Sequence, residues 1–114
     1  MPNYTKLLQF DRPTQERIYF RDDGTCLFCK ARYHMNNTSQ MLYDIKDIMH
    51  YIPKSSMGLG MEENGVLGCR YHHGLLDNGN KGLRAEMLQM MKEYLQSVYP
   101  DWDERKLKYR KWDF

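Results

Sequence analysis

Several absences narrow this chain before any motif is read. Three cysteines in 114 residues are an odd number and too few for a secreted disulfide scaffold. No apolar run approaches the ~20 residues that cross a bilayer, so no membrane partner is expected. The opening stretch MPNYTKLLQFDRP lacks the apolar block of a signal peptide, and the expectation is a cytoplasmic location. Excess charge of one sign is missing too: 17 Lys and Arg stand against 15 Asp and Glu, for a net charge of +2. A pI near 8.4 permits a polyanionic partner without requiring one. Leu, Ile, Val and Phe together make up under a fifth of the residues, which borders on disorder in a highly charged chain. The low net charge argues for folding, and nine Met and nine Tyr add side chains that can be buried. The core is nevertheless thin, and a chain of this size with such a core gains from a staple. There is no internal repeat, and the length suits one domain.

The remaining pattern predicts short elements. Residues 1–13 read as an extended lead-in, and Thr14 is placed to cap a short helix over Gln15–Phe20. Asp22-Asp23-Gly24 reads as a turn. Leu42–Ile52 carries Ile45, Ile48 and Ile52 and reads as β, stopping at Pro53. Val66-Leu67 reads as a second strand running into a helix that starts near Cys69 and ends near Asn78-Gly79-Asn80. Leu83, Met87, Met91, Tyr94, Leu95 and Val98 fall at spacings of three and four, so Leu83–Tyr99 is the clearest helix, stopped by Pro100. Asp101 and Glu104 are spaced as a capping box for a short final helix. The last residues interleave Arg105, Lys106, Lys108, Arg110 and Lys111 with Trp102, Tyr109 and Trp112. That tail reads as a solvated end or as a grip on phosphates.

Two pairs with the same spacing carry the chemistry. Cys26-x-x-Cys29 and Cys69-x-x-His72 each point two donors at one place, and together they make a tetrahedral Cys3His zinc site. The set uses all three cysteines, and such a site is closed and structural. The plainer alternative makes Cys29 and Cys69 core residues and Cys26 a loop thiol. A redox role for Cys26 and Cys29 lacks the surrounding βαβ pattern. His73 is an alternative ligand to His72, although the two-residue spacing favours His72. His34 matches nothing and reads as surface.

The pieces Cys26-x-x-Cys29, His50-Tyr51-Ile52-Pro53, Gly58-x-Gly60, Glu63-Asn64 and Cys69-x-x-His72-His73 occur in an order that resembles the HNH, or ββα-metal, nuclease family in its zinc-stapled form. The likeness spans about residues 22–77 and looks most like the short HNH proteins of bacteriophages. It implies an α+β fold, a small zinc-stabilised ββα-metal unit within one HNH-like domain over residues 1–114. Residues 14–80 would form its stapled core, 83–99 a flanking C-terminal helix and 100–114 a basic-aromatic tail. It also implies a hydrolase acting on DNA phosphodiester bonds in a bacterial or phage-infected cell. By position His50 is the general base, titrating near neutrality as that role requires. Asn64 braces the loop that positions it. A divalent ion, Mg²⁺ or another, would be held by His73 and Asp77, which share one helix face at i and i+4.

One position departs from the family pattern. The residue before the base is usually Asp, His or Glu and here is Met49, a thioether that suits neither Mg²⁺ nor Mn²⁺. Asp47, two residues back on the same strand face, is the candidate substitute. Asp77 is alternatively a plain helix-end residue. Three functions therefore compete. The first is a metal-dependent HNH endonuclease, the second a degenerate HNH fold that binds nucleic acid or protein without cutting. The third is a zinc-stapled interaction module with a Tyr-rich surface.

Overall fold

The chain's short apolar stretches build short elements around one hairpin. The computed structural model describes residues 4–37, 39–78 and 82–109. In chain order the elements are α1 (Tyr4–Leu8), α2 (Arg12–Arg21), α3 (Leu27–Lys30), α4 (Gln40–Asp44), β1 (Lys46–His50), β2 (Gly65–Cys69), α5 (Arg70–Asn78) and α6 (Arg84–Val98). Short 3₁₀ turns lie at Lys54–Ser56, Glu62–Asn64 and Glu104–Leu107. The class is α+β, with a two-stranded sheet and helices. No described helix is long and apolar enough to cross a membrane.

Strands β1 and β2 pair antiparallel, with Ile48 opposite Leu67, Met49 opposite Val66 and His50 opposite Gly65. Every residue of β2 is buried, whereas β1 buries only Met49 completely. Helix α5 follows β2 without a break, so its first turn is anchored by the sheet. Helix α6 buries Met87, Met91 and Leu95, the stripe read from the sequence, in one cluster with Leu76 of α5. Cutting such a buried Met to Ala costs about 2–5 kcal/mol.

Local structure differs from expectation at four places. The lead-in is helical over Tyr4–Leu8 rather than extended throughout. Helix α2 starts earlier than Thr14, because the Asp11 carboxylate accepts the Thr14 N–H at 2.9 Å and Pro13 occupies the first turn. Leu42–Asp44 belong to a helical turn, Gln40–Asp44, rather than to the strand. The Asn37 side chain accepts the Ser39 N–H at 2.7 Å, and Tyr43 buries its ring while its hydroxyl accepts the Asn37 N–H. That inward-turned tyrosine leaves only Lys46–His50 to pair as strand. Finally, Asp103 rather than Asp101 caps the last turn, since the Trp102 indole donates to the Glu63 carbonyl at 2.8 Å and pins the chain first.

The tail through Tyr109 is tucked in. Leu107 is buried, its carbonyl accepts the Leu59 N–H, and the Tyr109 N–H donates to the Met57 carbonyl. Arg110, Lys111 and Trp112 lie outside the described residues, as do Gly79 and Asn80 at the expected end of α5. A buried polar hub ties α2 to the rest. Arg21 pairs with Asp22 at 2.7 Å and donates to the carbonyls of Glu62 and Gly65. Asp22 in turn accepts the Leu67 N–H at 2.8 Å and the Tyr94 hydroxyl of α6.

Candidate metal centre and adjoining cleft

The same local device is used twice at the metal centre. Cys26 stands at the start of α3, and its sulfur accepts the Cys29 N–H at 3.4 Å. Cys69 stands at the start of α5, and its sulfur accepts the His72 N–H at 3.4 Å. In each case the donor three residues on comes round to the same side of the turn. The four donor atoms of Cys26, Cys29, Cys69 and His72 lie within 4.8 Å of one another and could hold a metal ion. His72 Nδ1 is 3.7, 3.6 and 3.2 Å from the sulfurs of Cys26, Cys29 and Cys69, and the Cys29 and Cys69 sulfurs are 3.7 Å apart. Metal–sulfur bonds of about 2.3 Å give a tetrahedron with edges of about 3.8 Å, so the spacing fits an ion of zinc's size.

The surroundings favour that use. Cys26, Cys69 and His72 are fully buried. His72 Nε2 donates to the Tyr33 carbonyl at 2.6 Å, and a carbonyl can only accept. The proton is therefore fixed on Nε2, which leaves the Nδ1 lone pair facing the sulfurs. The hydrogen bond from Cys26, and after it His72, hold the Cys69 thiol low. Cys26 is pushed up by that same bond and by burial, and Cys29 by burial and the nearby Cys69 charge. The three cysteines form no disulfide.

His73, one residue on, faces a different place. A broad open cleft is lined by His50, Asp47, His73 and Asp77, together with Arg70 and Phe10. His73 Nδ1 lies 3.1 Å from an Asp47 oxygen, and its Nε2 lies 3.1 Å from an Asp77 oxygen. Arg70 grips Asp47 from the side through two nitrogens, at 2.8 and 3.2 Å. Arg70 first, and His73 after it, hold the Asp47 carboxyl below the usual range. His50 is half-buried; its Nε2 lies 2.9 Å from the Leu8 carbonyl, and its ring packs on Phe10. Burial lowers its pKa.

Asn64 is fully buried and bonds the loop that follows His50. Its amide oxygen accepts the Ile52 N–H at 2.8 Å, and its nitrogen donates to the carbonyls of Ile52 and Leu59 at 3.0 and 2.9 Å. Met49 does not face the cleft donors. It is fully buried, and a β-carbon on Gly68 would lie 2.5 Å from its sulfur, so the glycine in β2 makes room for the thioether. His34 is exposed, as the sequence suggested.

The fold therefore brings His50, Asp47, His73 and Asp77 to one cleft and His72 to the metal centre. Sequence reasoning missed Arg70, whose place between the ligands Cys69 and His72 was the available signal, and it missed the N-terminal segment. Nothing in the Leu7–Phe10 stretch announces that it reaches His50, 42 residues on. No family model matches the chain, and neither any curated protein nor any solved structure matches it.

Proposed function

We propose that this chain is a zinc-stapled, HNH-type endonuclease that hydrolyses DNA phosphodiester bonds at the cleft beside α5. The observation that carries the reading is the convergence of His50, at the end of β1, with His73 and Asp77 on α5, next to an independent Cys3His cluster. Zinc is the ion assigned to that cluster, because three thiolates and an imidazole are its usual structural donors.

In this reading the neutral His50 ring takes the proton of the attacking water at Nδ1, since Nε2 is engaged with Leu8. Asn64 keeps the following loop from shifting that ring. His73 Nε2 and Asp77, 3.1 Å apart, are the two donors offered to a divalent ion. A two-donor site suits Mg²⁺, which keeps waters and takes phosphate oxygens as its other ligands. When bound there, such an ion supplies neutralisation of charge at the leaving oxygen. Asp47 acts by orientation: accepting from His73 Nδ1 leaves the Nε2 lone pair for the ion. Lys46, Lys54, Arg70 and Arg84 along the cleft supply positive charge for the phosphate backbone.

The second reading, a binding module that does not cut, is favoured by one observation. Met49 is committed to the core, so β1 offers no ligand directly before His50. A plasmid-nicking assay with Mg²⁺, Mn²⁺ or Ni²⁺ decides between them. Cleavage by the wild type should fall at least about a hundredfold in His50→Ala, the usual contribution of a general base. DNA retention without cleavage selects the binding module, and neither activity sinks both.

A further inference from the structure

The segment that leads into α2 has a seat prepared for it. The Leu7 carbonyl accepts the Gly60 N–H at 2.9 Å, and the next carbonyl, of Leu8, meets His50 Nε2 at 2.9 Å. The Leu8 side chain is buried, and the Phe10 ring lies 4.3 Å from the His50 ring, centroid to centroid. Two glycines leave the space. A β-carbon at position 60 would fall 2.0 Å from the Gln9 carbonyl oxygen, and one at position 65 would fall 2.7 Å from the Phe10 ring. Backbone and ring thus occupy volume that any other residue at 60 or 65 would fill.

We infer that residues 7–10 are a positioning strap for His50, in which the Leu8 carbonyl fixes the proton on Nε2 and Phe10 restrains rotation of the ring. A carbonyl accepts and never donates, so the neutral ring is held as the Nε2–H tautomer with its lone pair on Nδ1. The catalytic consequence rests on the nuclease reading, whereas the tautomer does not. Held this way, His50 presents one defined acceptor; released, it divides between two tautomers and several rotamers. Burial is the main cause of the ring's lowered proton affinity, and the Phe10 ring is one of the groups packed on it. The Leu8 carbonyl is the next largest influence and raises that affinity, Lys54 and His73 lower it, and Asp77 raises it.

The test uses the full-length, zinc-loaded, ¹⁵N-labelled protein and reads the tautomer and titration of His50 by long-range ¹H–¹⁵N correlation. The assignment comes from His50→Gln. Wild type should show Nε2–H alone, with a midpoint below that of an ordinary histidine. Phe10→Ala, which frees the ring to turn away from the Leu8 carbonyl, and Gly60→Ala, which displaces the backbone carrying it, should each show a mixture of tautomers and a midpoint moved upward, while Phe10→Tyr, which keeps a ring, should resemble wild type. If Gly60→Ala fails to fold, Phe10→Ala against Phe10→Tyr carries the test. In the nicking assay Phe10→Ala should lower kcat about tenfold and leave KM for DNA unchanged. An unaltered tautomer and midpoint in folded Phe10→Ala overturns the strap, whatever the nicking result. Altered tautomers in a protein whose wild type never cleaves uphold the strap and overturn the nuclease reading.

Discussion

His72 and His73 are adjacent in sequence and serve two regions of opposite character. His72 is fully buried, its Nδ1 faces three sulfurs, and its other nitrogen is fixed by one backbone carbonyl. His73 is partly exposed and held between two carboxylates, one of them gripped by Arg70. Successive residues of a helix point about 100° apart, so one turn of α5 can serve a dry cluster and a wet cleft at once. At the metal centre the donors converge on a single point and need only lose protons to hold an ion. In the cleft the donors are paired with one another, and any ligand must exchange for those pairings. The first arrangement suits permanent binding and the second suits exchange of ligands.

Removing the metal from the dry region should give the largest effect. The four candidate ligands come from the two knuckles either side of the hairpin, so an ion held by them ties the two sides together. Structural zinc contributes about 10 kcal/mol or more to folding in zinc-finger peptides, which is comparable to the whole stability of a typical domain at about 5–15 kcal/mol. Chelation, or Cys69→Ser, should therefore abolish the cooperative thermal transition followed by circular dichroism, with one zinc lost per chain by elemental analysis. A sharp transition that survives complete zinc removal refutes the staple.

The contrast between regions also explains what could be read in advance. The Cys3His set was legible because its ligands sit in two short local pairs, and a two-residue gap on one turn dictates where both donors point. Helix α6 was legible because Met87, Met91 and Leu95 repeat with the helical period. Asp11 was overlooked as the cap of α2 because Thr14, three residues on, is also a capping type. The Gln40–Asp44 turn was hidden because its cause is not local composition but the burial of Tyr43. The cleft was legible only in part: His50, Asn64 and His73 stood in a familiar order, while Leu8 and Phe10 reach the site by tertiary packing alone.

Met49 tests where the boundary between the two regions runs. Read from sequence, it stands where a metal ligand is expected, and an acidic residue there would complete the cleft. Its burial beneath Gly68 gives the opposite expectation. Met49→Asp places a carboxylate in the core with no partner, and should cost about 3 kcal/mol or more in urea unfolding. Met49→Leu conserves volume and should cost less than about 1.5 kcal/mol. A Met49→Asp protein as stable as wild type, with tighter Mn²⁺ binding, would move this residue from the core to the cleft.

The smallest effect expected is the pH dependence contributed by His50, and it bears on the cleft alone. Burial, the largest influence, holds its pKa below the ordinary 6.5, opposed by the Leu8 carbonyl. Lys54 and His73 act in the same direction as burial, and Asp77 acts against it. The folded ring binds its proton less readily than the unfolded one, so between the folded pKa and 6.5 the unfolded chain carries more protons. The stability due to this residue is complete above pH 6.5 and is lost as pH falls through the folded value. Zinc ligands also take up protons in acid, so a single pH series would mix the two regions. Comparing wild type with His50→Gln at saturating zinc separates them, because the metal centre is common to both. Wild type should lose unfolding free energy more steeply than His50→Gln as pH falls from 7.5 towards about 5, a range set around the histidine pKa. Parallel curves would mean that the His50 ring is as accessible to protons in the folded protein as in the unfolded chain. The cleft would then lack the shielded imidazole that distinguishes it from an ordinary solvated surface.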